Sequence, residues 1–95
     1  MIVRISGEGQ FEVDDDGVHK LDELDTALTR AYEARDERVF REELNRTIEF
    51  VRTNGNRVPD DRVLPSEVIV PPPDVDIQEA HRFFTDEGLM APIQA

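Results

Sequence analysis

The opening residues, MIVRISGEGQFEV, limit the fold of this chain more than any other stretch. Apolar and polar residues alternate along Val3-Arg4-Ile5 and again along Phe11-Glu12-Val13, which is the pattern of a half-buried strand. Two such strands separated by a glycine-containing loop predict a β-hairpin. One face of this hairpin is apolar, so other elements of the chain must cover it.

The loop length sets the pairing of the two strands. Gly7-Glu8-Gly9 predicts a three-residue loop whose last glycine adopts the left-handed conformation without a Cβ clash. This loop would pair Ile5 with Phe11 and Val3 with Val13. A loop one residue shorter or longer would turn one strand's apolar residues toward the polar face.

Composition places the chain among small, acidic domains. The chain has 95 residues, of which 22 are acidic and 11 are basic, giving a formal charge of −11. A chain of this length predicts one domain, residues 1–95, with one modest core. The negative charge repels nucleic-acid phosphates and anionic lipid head groups, so it disfavours direct nucleic-acid or membrane binding and favours a protein partner with basic groups.

Three further features bear on location. There is no cysteine, so disulfides, thiolate nucleophiles and zinc–thiolate sites are excluded. The start, MIVRIS, is too short and too strand-like for a signal peptide, and no apolar run is long enough to span a bilayer. We therefore expect a soluble cytoplasmic protein.

Two amphipathic helices follow the hairpin. Asp14-Asp15-Asp16-Gly17 is a turn and N-cap cluster, and apolar spacings of three and four predict a first helix over about 18–34. Asp36 is the predicted N-cap of a second helix, which ends near Thr53 with Asn54-Gly55 supplying a left-handed residue. The short break between them predicts antiparallel neighbours.

The predicted apolar stripes of the two helices are regular. The second helix also carries the spacings Arg38/Glu42 and Glu42/Arg46, which suit weak surface ion pairs. The stripe residues are Val18, Leu21, Leu24, Leu28, Ala31 and Tyr32 in the first helix and Val39 or Phe40, Leu44, Thr47, Ile48 and Val51 in the second, with Phe50 at the stripe's edge.

The last third of the chain predicts one strand and one helix. Residues 67–70, EVIV, include three β-branched residues and predict a third strand beside the hairpin, at the sheet edge because three prolines follow. Asp76 caps a predicted helix over about 77–87, with Gly88 ending it and residues 89–95 expected to fray. The fold class is therefore α+β: an N-terminal β-hairpin plus a short third strand, packed on an antiparallel helical pair and a short C-terminal helix.

No motif in the sequence indicates catalysis, a metal or a cofactor. His19 and His81 each lack a second histidine at ligand spacing, and a solvent-facing or packed histidine is the ordinary interpretation. The acidic run 14–16 lacks the spacing of a calcium loop and suits helix capping better. Gly7-x-Gly9 joins strand to strand, so it lacks the helix that would hold a pyrophosphate. We expect no catalytic, metal or cofactor-binding residue.

Four stretches of the chain follow one another in a recognisable order and spacing: MIVRISGEGQFEVDDD, LDELDTAL, VPDDRVLPSEVIVPPPD and the closing TDEGL. With these stretches the chain resembles, from end to end, the PspA-associated domain family, PspAA. The resemblance implies a non-catalytic partner of phage-shock protein A (PspA), an ESCRT-III-like helical protein that remodels stressed membranes. It also implies a cytoplasmic protein that contacts the inner membrane only indirectly, through that partner.

Several expectations about binding remain open at this level. An alternative is an acidic DNA mimic that blocks a DNA-binding protein, and an enzyme with a buried polar cleft comes third. The sequence leaves homo-oligomerisation open, and it does not separate activation of PspA from inhibition. The expected partner-binding residues, on the outer face of the helix pair and the sheet edge, are Tyr32, Arg46, Phe50, Val68, Ile69 and Val70.

Overall fold

A four-stranded mixed sheet carries two helices on one of its faces. The computed structural model describes residues 1–84 of the chain. The strand order in the sheet is β3-β2-β1-β4, so β1 is central. The elements in chain order are β1 (Ile2–Ile5), β2 (Gly9–Glu12), α1 (Asp15–Glu33), α2 (Glu37–Asn54), β3 (Asn56–Arg57), β4 (Val68–Val70) and a 3₁₀ helix (Glu79–Arg82).

The predicted α+β class is confirmed, and the core lies between the sheet and the helices. The inward side chains of the hairpin are buried, as the period-2 pattern predicted. They meet the apolar stripes of α1 and α2 in one cluster. The fully or nearly fully buried members include Val3, Ile5, Val13, Leu21, Leu28, Phe40, Leu44, Ile48, Val51, Val68 and Val70.

The predicted pairing within the hairpin is wrong by two residues. Ile5 pairs with Gly9 and Val3 pairs with Phe11. The chain turns earlier because Gly7 adopts a positive φ of 85°, and the Glu8 N–H donates to the Ile5 carbonyl at 2.9 Å. Gly9 also has a positive φ, as predicted for it, but it lies at the start of β2. A shift of two residues keeps each side chain on its predicted face.

Both helix N-caps are confirmed. Asp14 Oδ1 accepts from the Gly17 N–H at 2.8 Å, and Asp36 Oδ1 accepts from the Val39 N–H at 3.2 Å. The first helix begins at Asp15, earlier than the predicted start at about residue 18, because the acidic cluster forms both its cap and its first turn. Arg35, between the helices, adopts the left-handed conformation with a φ of 57°.

The second helix ends close to the predicted position, but for a different physical reason. Gly55 is extended, with φ −85° and ψ 153°, and is not left-handed. Glycine is required there by close approach, because a Cβ would lie 2.7 Å from the Val51 carbonyl oxygen and 3.0 Å from the Phe11 Cβ. The extended backbone leads directly into β3, a two-residue strand that pairs antiparallel with β2 and that the sequence pattern did not predict.

The third predicted strand is confirmed as β4. It lies at the sheet edge and pairs parallel with β1, with Arg4 opposite Ile69 and Ile5 opposite Val70. The Ser6 N–H donates to the Val70 carbonyl at 2.9 Å and extends this pairing beyond the strand. The sheet is therefore closed on one side by a segment followed at once by prolines, which cannot donate to a further strand.

The predicted C-terminal helix is present over the described residues as a shorter and tighter helical turn than expected. Only Glu79–Arg82 is helical, as a 3₁₀ turn. Asp76 Oδ1 accepts from the Gln78 N–H at 3.0 Å, which is a local turn, while the Glu79 N–H donates to the Asp76 carbonyl at 2.9 Å and not to the Asp76 side chain. Burial of Val75, Ile77 and Ala80 against the core dictates this irregular path. The remainder of the predicted helix, its end at Gly88 and the frayed tail at 89–95 lie outside the described residues.

Gln10 is buried and anchors the long connection between β3 and β4. Its Nε2 donates to the Leu64 carbonyl and, at 2.8 Å, to Ser66 Oγ, while its Oε1 accepts from the Leu64 N–H at 3.1 Å. The side chain therefore uses both donor and acceptor, and it fixes a segment more than 50 residues away, as the separations of 54 and 56 show.

Replacing Gln10 with Glu is expected to lower the free energy of unfolding by about 1–3 kcal/mol, because a carboxylate oxygen would face the Leu64 carbonyl without a donor. Urea denaturation measures this difference. The control is Glu12→Gln on the same strand, which is exposed and should change stability by less than about 0.5 kcal/mol. Equal stabilities of the Gln10 variant and the wild type would contradict the anchoring role.

Candidate partner-binding surface

A shallow groove of about 470 Å³ runs along the outer face of the helix pair. Leu24, almost fully buried at the edge of the α1 stripe, and the half-buried Phe50 of α2 form its apolar floor. We call it the helix-pair groove. Its lining residues are Lys20, Leu24, Asn45, Arg46, Glu49, Phe50, Thr53 and Asn54.

The rim of the helix-pair groove is charged and exposed. Lys20 lies 3.6 Å from Glu23, Arg46 lies 3.1 Å from Glu43, and both cations have most of their side chains in solvent. Such exposed pairs add little to stability, so these cations are available to other charged groups at small energetic cost. The predicted pair Arg38/Glu42 is confirmed at 3.1 Å, whereas Arg46 pairs with Glu43 and not with Glu42.

The structure places two of the expected binding residues in this groove and leaves one elsewhere. Arg46 and Phe50, one helical turn apart, both line it. Tyr32 lies at the other end of α1, where its ring stacks on Phe84 with centroids 4.4 Å apart and the Arg35 guanidinium lies 4.7 Å from its centroid. Tyr32 is therefore already engaged by neighbours of its own chain.

The three expected residues of the sheet edge divide between two faces. Val68 and Val70 are buried in the core, while Ile69 is 46% exposed on the opposite face of the sheet. Strand alternation explains the division, since successive side chains point to opposite faces. The structure therefore does not bring Val68–Val70 together with Arg46 and Phe50.

Sequence reasoning missed the α1 side of the groove. The sequence pattern places Leu24 in the core stripe and leaves Lys20 outside it, and both lie where α1 meets α2. Helical periodicity assigns a residue to a face of its own helix but does not say which residues of a second helix lie beside it. The available signal was the pair of apolar residues at the stripe edges, Leu24 and Phe50.

The side chains that line the groove are of mixed chemical character. Its lining combines apolar side chains, amides, a hydroxyl, two cations and the carboxylate of Glu49. Among residues 1–84, no three His, Cys, Asp or Glu side chains are grouped to hold a metal ion. His81 Nδ1 lies 2.8 Å from the Gln78 carbonyl, and His19 is exposed.

An ion pair ties the hairpin turn to the end of α2 beside the groove. Arg52 donates to both carboxylate oxygens of Glu8, from Nε at 3.1 Å and from a terminal nitrogen, and it lies 3.8 Å from Glu49. The hydrogen bond from Arg52 holds the pKa of the Glu8 carboxyl below its ordinary value, with smaller help from the charges of Arg52 and Arg57. Because Arg52 contacts both Glu8 and the groove residue Glu49, it fixes the hairpin turn relative to the groove.

Replacing Arg52 with Gln is expected to raise the pKa of Glu8 toward 4.5, its ordinary value. Because the folded pKa of Glu8 is lowered, the ion pair stabilises the fold above pH 4.5, and this contribution is lost as the pH falls through the folded pKa. An NMR titration of the Glu8 carboxyl carbon measures the change. Arg46→Gln is the control and should leave the Glu8 titration unmoved; an unchanged Glu8 pKa in the Arg52 variant would exclude the contact.

Comparison with known proteins assigns the chain to a family. The sequence matches the family model described as PspA-Associated protein, PspAA, over residues 1–92, so this chain belongs to the PspAA family. The match confirms the resemblance seen in the sequence. No curated protein and no solved structure matches the chain. The family is described by an association with PspA and not by a reaction.

Within residues 1–84, neither α1 nor α2 has the length and apolar content needed to cross a membrane.

Proposed function

We propose that this chain is a non-catalytic module that binds a PspA-type helical protein and regulates its assembly in the envelope-stress response. The observation that carries the proposal is the helix-pair groove: an apolar floor between two helices, with cations on its rim, in a chain of the PspAA family. A groove of this shape suits the apolar stripe of an amphipathic helix from the partner.

The partner's helix would lie along the groove with its apolar residues over Leu24 and Phe50. A half-buried aromatic residue in such a position is the type of side chain that contributes most to binding energy. Lys20 and Arg46 on the rim would contact acidic side chains flanking that stripe, which fixes the orientation of the helix more than it adds affinity. The carboxylate of Glu49, which also lines the groove, would contact a basic side chain of the partner's helix.

Charge supports an indirect route to the membrane. The formal charge of −11 opposes adsorption to anionic lipids, so PspA would carry this cytoplasmic protein to the inner membrane face. The alternative of an acidic DNA mimic has weaker support, since Glu42 and Glu43 pair with arginines and do not form uninterrupted rows of free carboxylates.

Binding to the PspA-type protein of the same genome, measured by isothermal titration calorimetry, tests the proposal. Phe50→Ala should weaken binding by about tenfold or more, because it removes the apolar floor of the groove. Arg46→Glu should weaken it by about threefold to tenfold through a reversed rim charge. Arg38→Glu is the matched control, an exposed α2 arginine outside the groove, and should leave the affinity unchanged.

Thermal unfolding of each variant separates lost binding from lost folding. Because Arg46 is exposed, Arg46→Glu should unfold at nearly the wild-type temperature, so its result stands even where the Phe50 variant is destabilised. Absence of binding by the wild type at both low and moderate salt would overturn the proposal. Equal losses of binding affinity in the Arg46 and Arg38 variants would overturn the assignment of the partner's binding site to the groove.

A further inference from the structure

The outer face of the sheet, opposite the helices, presents a row of side chains across three strands. Arg4 of β1 lies between its register partners Gln10 of β2 and Ile69 of β4. Val3 and Val68, one residue earlier on their strands, point into the core. Strand alternation therefore places Arg4 and Ile69 side by side on the outer face, about 4.8 Å apart between strands.

Two arginines on this face have no partner among the described residues. Across residues 1–84, no hydrogen bond or ion pair engages the side chains of Arg4 or Arg62. Both line one recess of about 110 Å³, together with Val63. The carboxylate that lines the recess, Asp60, pairs with Arg57 at 3.3 Å. Acidic residues outnumber basic ones 22 to 11 in this chain, yet neither Arg4 nor Arg62 is paired with a carboxylate in this recess.

Exposed apolar side chains accompany these arginines. In the described part of the chain the exposed large hydrophobic residues are Val63, at 79% exposure, and Ile69, at 46%. Val63 lines the recess with Arg4, and Ile69 adjoins Arg4 across the strand pairing. Cationic and apolar groups thus alternate over one surface, which we call the outer-face patch: Arg4, Arg62, Val63 and Ile69.

The segment that carries Val63 and Arg62 is held in place from both sides. The Val58 N–H donates to the Gln10 carbonyl at 2.9 Å, and the Gln10 side chain bonds Leu64 and Ser66. A turn closed by the Arg62 N–H and the Pro59 carbonyl, at 3.0 Å, lies between these anchors. The backbone that carries Arg62 and Val63 is therefore held in place before any partner arrives, which lowers the entropic cost of binding.

We propose that the outer-face patch docks a short segment of a partner protein in which carboxylates adjoin aliphatic side chains. The guanidinium groups of Arg4 and Arg62 would bind the carboxylates, with the planar geometry that favours paired hydrogen bonds. Val63 and Ile69 would cover the aliphatic groups. A nucleic acid would offer phosphates to the arginines but no aliphatic surface, and the net charge opposes it.

This patch lies on the side of the molecule away from the helix-pair groove, so the inference does not rest on the proposed function. The sheet separates the two surfaces, since its inner face packs on the helices and its outer face carries Arg4 and Ile69. The chain would therefore bind two partners, or two segments of one partner, at the same time.

An NMR titration of the ¹⁵N-labelled full chain tests the patch. The probe is a short synthetic peptide of Glu, Leu and Ala residues, added at about 0.15 M salt so that the long-range repulsion from the acidic chain is screened. Amide signals of Arg4, Arg62, Val63 and Ile69 should move in a saturable way. Two control peptides, with Ser for Leu or with Lys for Glu, should each bind this patch at least about threefold more weakly.

Variants identify the contacts. Arg4→Gln and Ile69→Thr should each weaken the binding of the Glu/Leu peptide by about threefold to tenfold. Arg30→Gln, at an exposed arginine of α1, is the matched control and should leave binding unchanged. Thr keeps the β-branched shape that a strand favours, and the undisturbed amide spectrum of each variant verifies its fold.

Four results would overturn the inference. The Glu/Leu peptide could leave the patch signals unmoved or shift only those of the helix-pair groove. The Ser-containing peptide could bind as well as the Leu-containing one, which would show that the site recognises charge alone and no aliphatic group. The Arg4 variant could bind as tightly as the wild type. Patch signals that shift with protein concentration alone would identify a second copy of this chain as the occupant.

Discussion

The pairing of β1 with strands on both of its sides organises this molecule. β1 bonds antiparallel to β2, which follows it directly, and parallel to β4, which comes from the far part of the chain. Its inward residues, Val3 and Ile5, are fully buried under α1 and α2. Because the helices cover one face of β1, the side chains on that face cannot contact a partner, and β1 contributes to the surface of the molecule through the outer face of the sheet.

Local rules gave most of the fold from the sequence, and the departures have specific causes. Period-2 alternation assigned the buried face of the hairpin, and Asp14 and Asp36 marked the helix starts, since each depends on neighbouring residues alone. The hairpin register depends on the backbone conformation of Gly7, which the spacing of apolar residues does not specify. The requirement for glycine at position 55 comes from close contact with Phe11, which is distant in the sequence. β3 has no apolar alternation, so only its pairing with β2 reveals it.

The candidate site was less predictable because it depends on how the elements meet. Spacing along α2 placed Arg46 and Phe50 on one face, yet their neighbour Leu24 belongs to α1 and is found only through helix packing. The β-branched run at 68–70 was recognised as an edge strand, but its two valines face the core. The glycines of the opening loop, which resemble part of a phosphate-binding motif, serve the turn.

The proposed binding of a PspA-type partner rests on membership of the PspAA family and on the helix-pair groove. Photo-crosslinking to the PspA-type partner would test this most directly, with benzoylphenylalanine replacing Asn45 in the groove or, separately, the exposed Glu12 on strand β2. We expect the probe at position 45 to form a covalent adduct with PspA and the probe at position 12 to form none. An adduct from position 12 without one from position 45 would contradict docking in the groove.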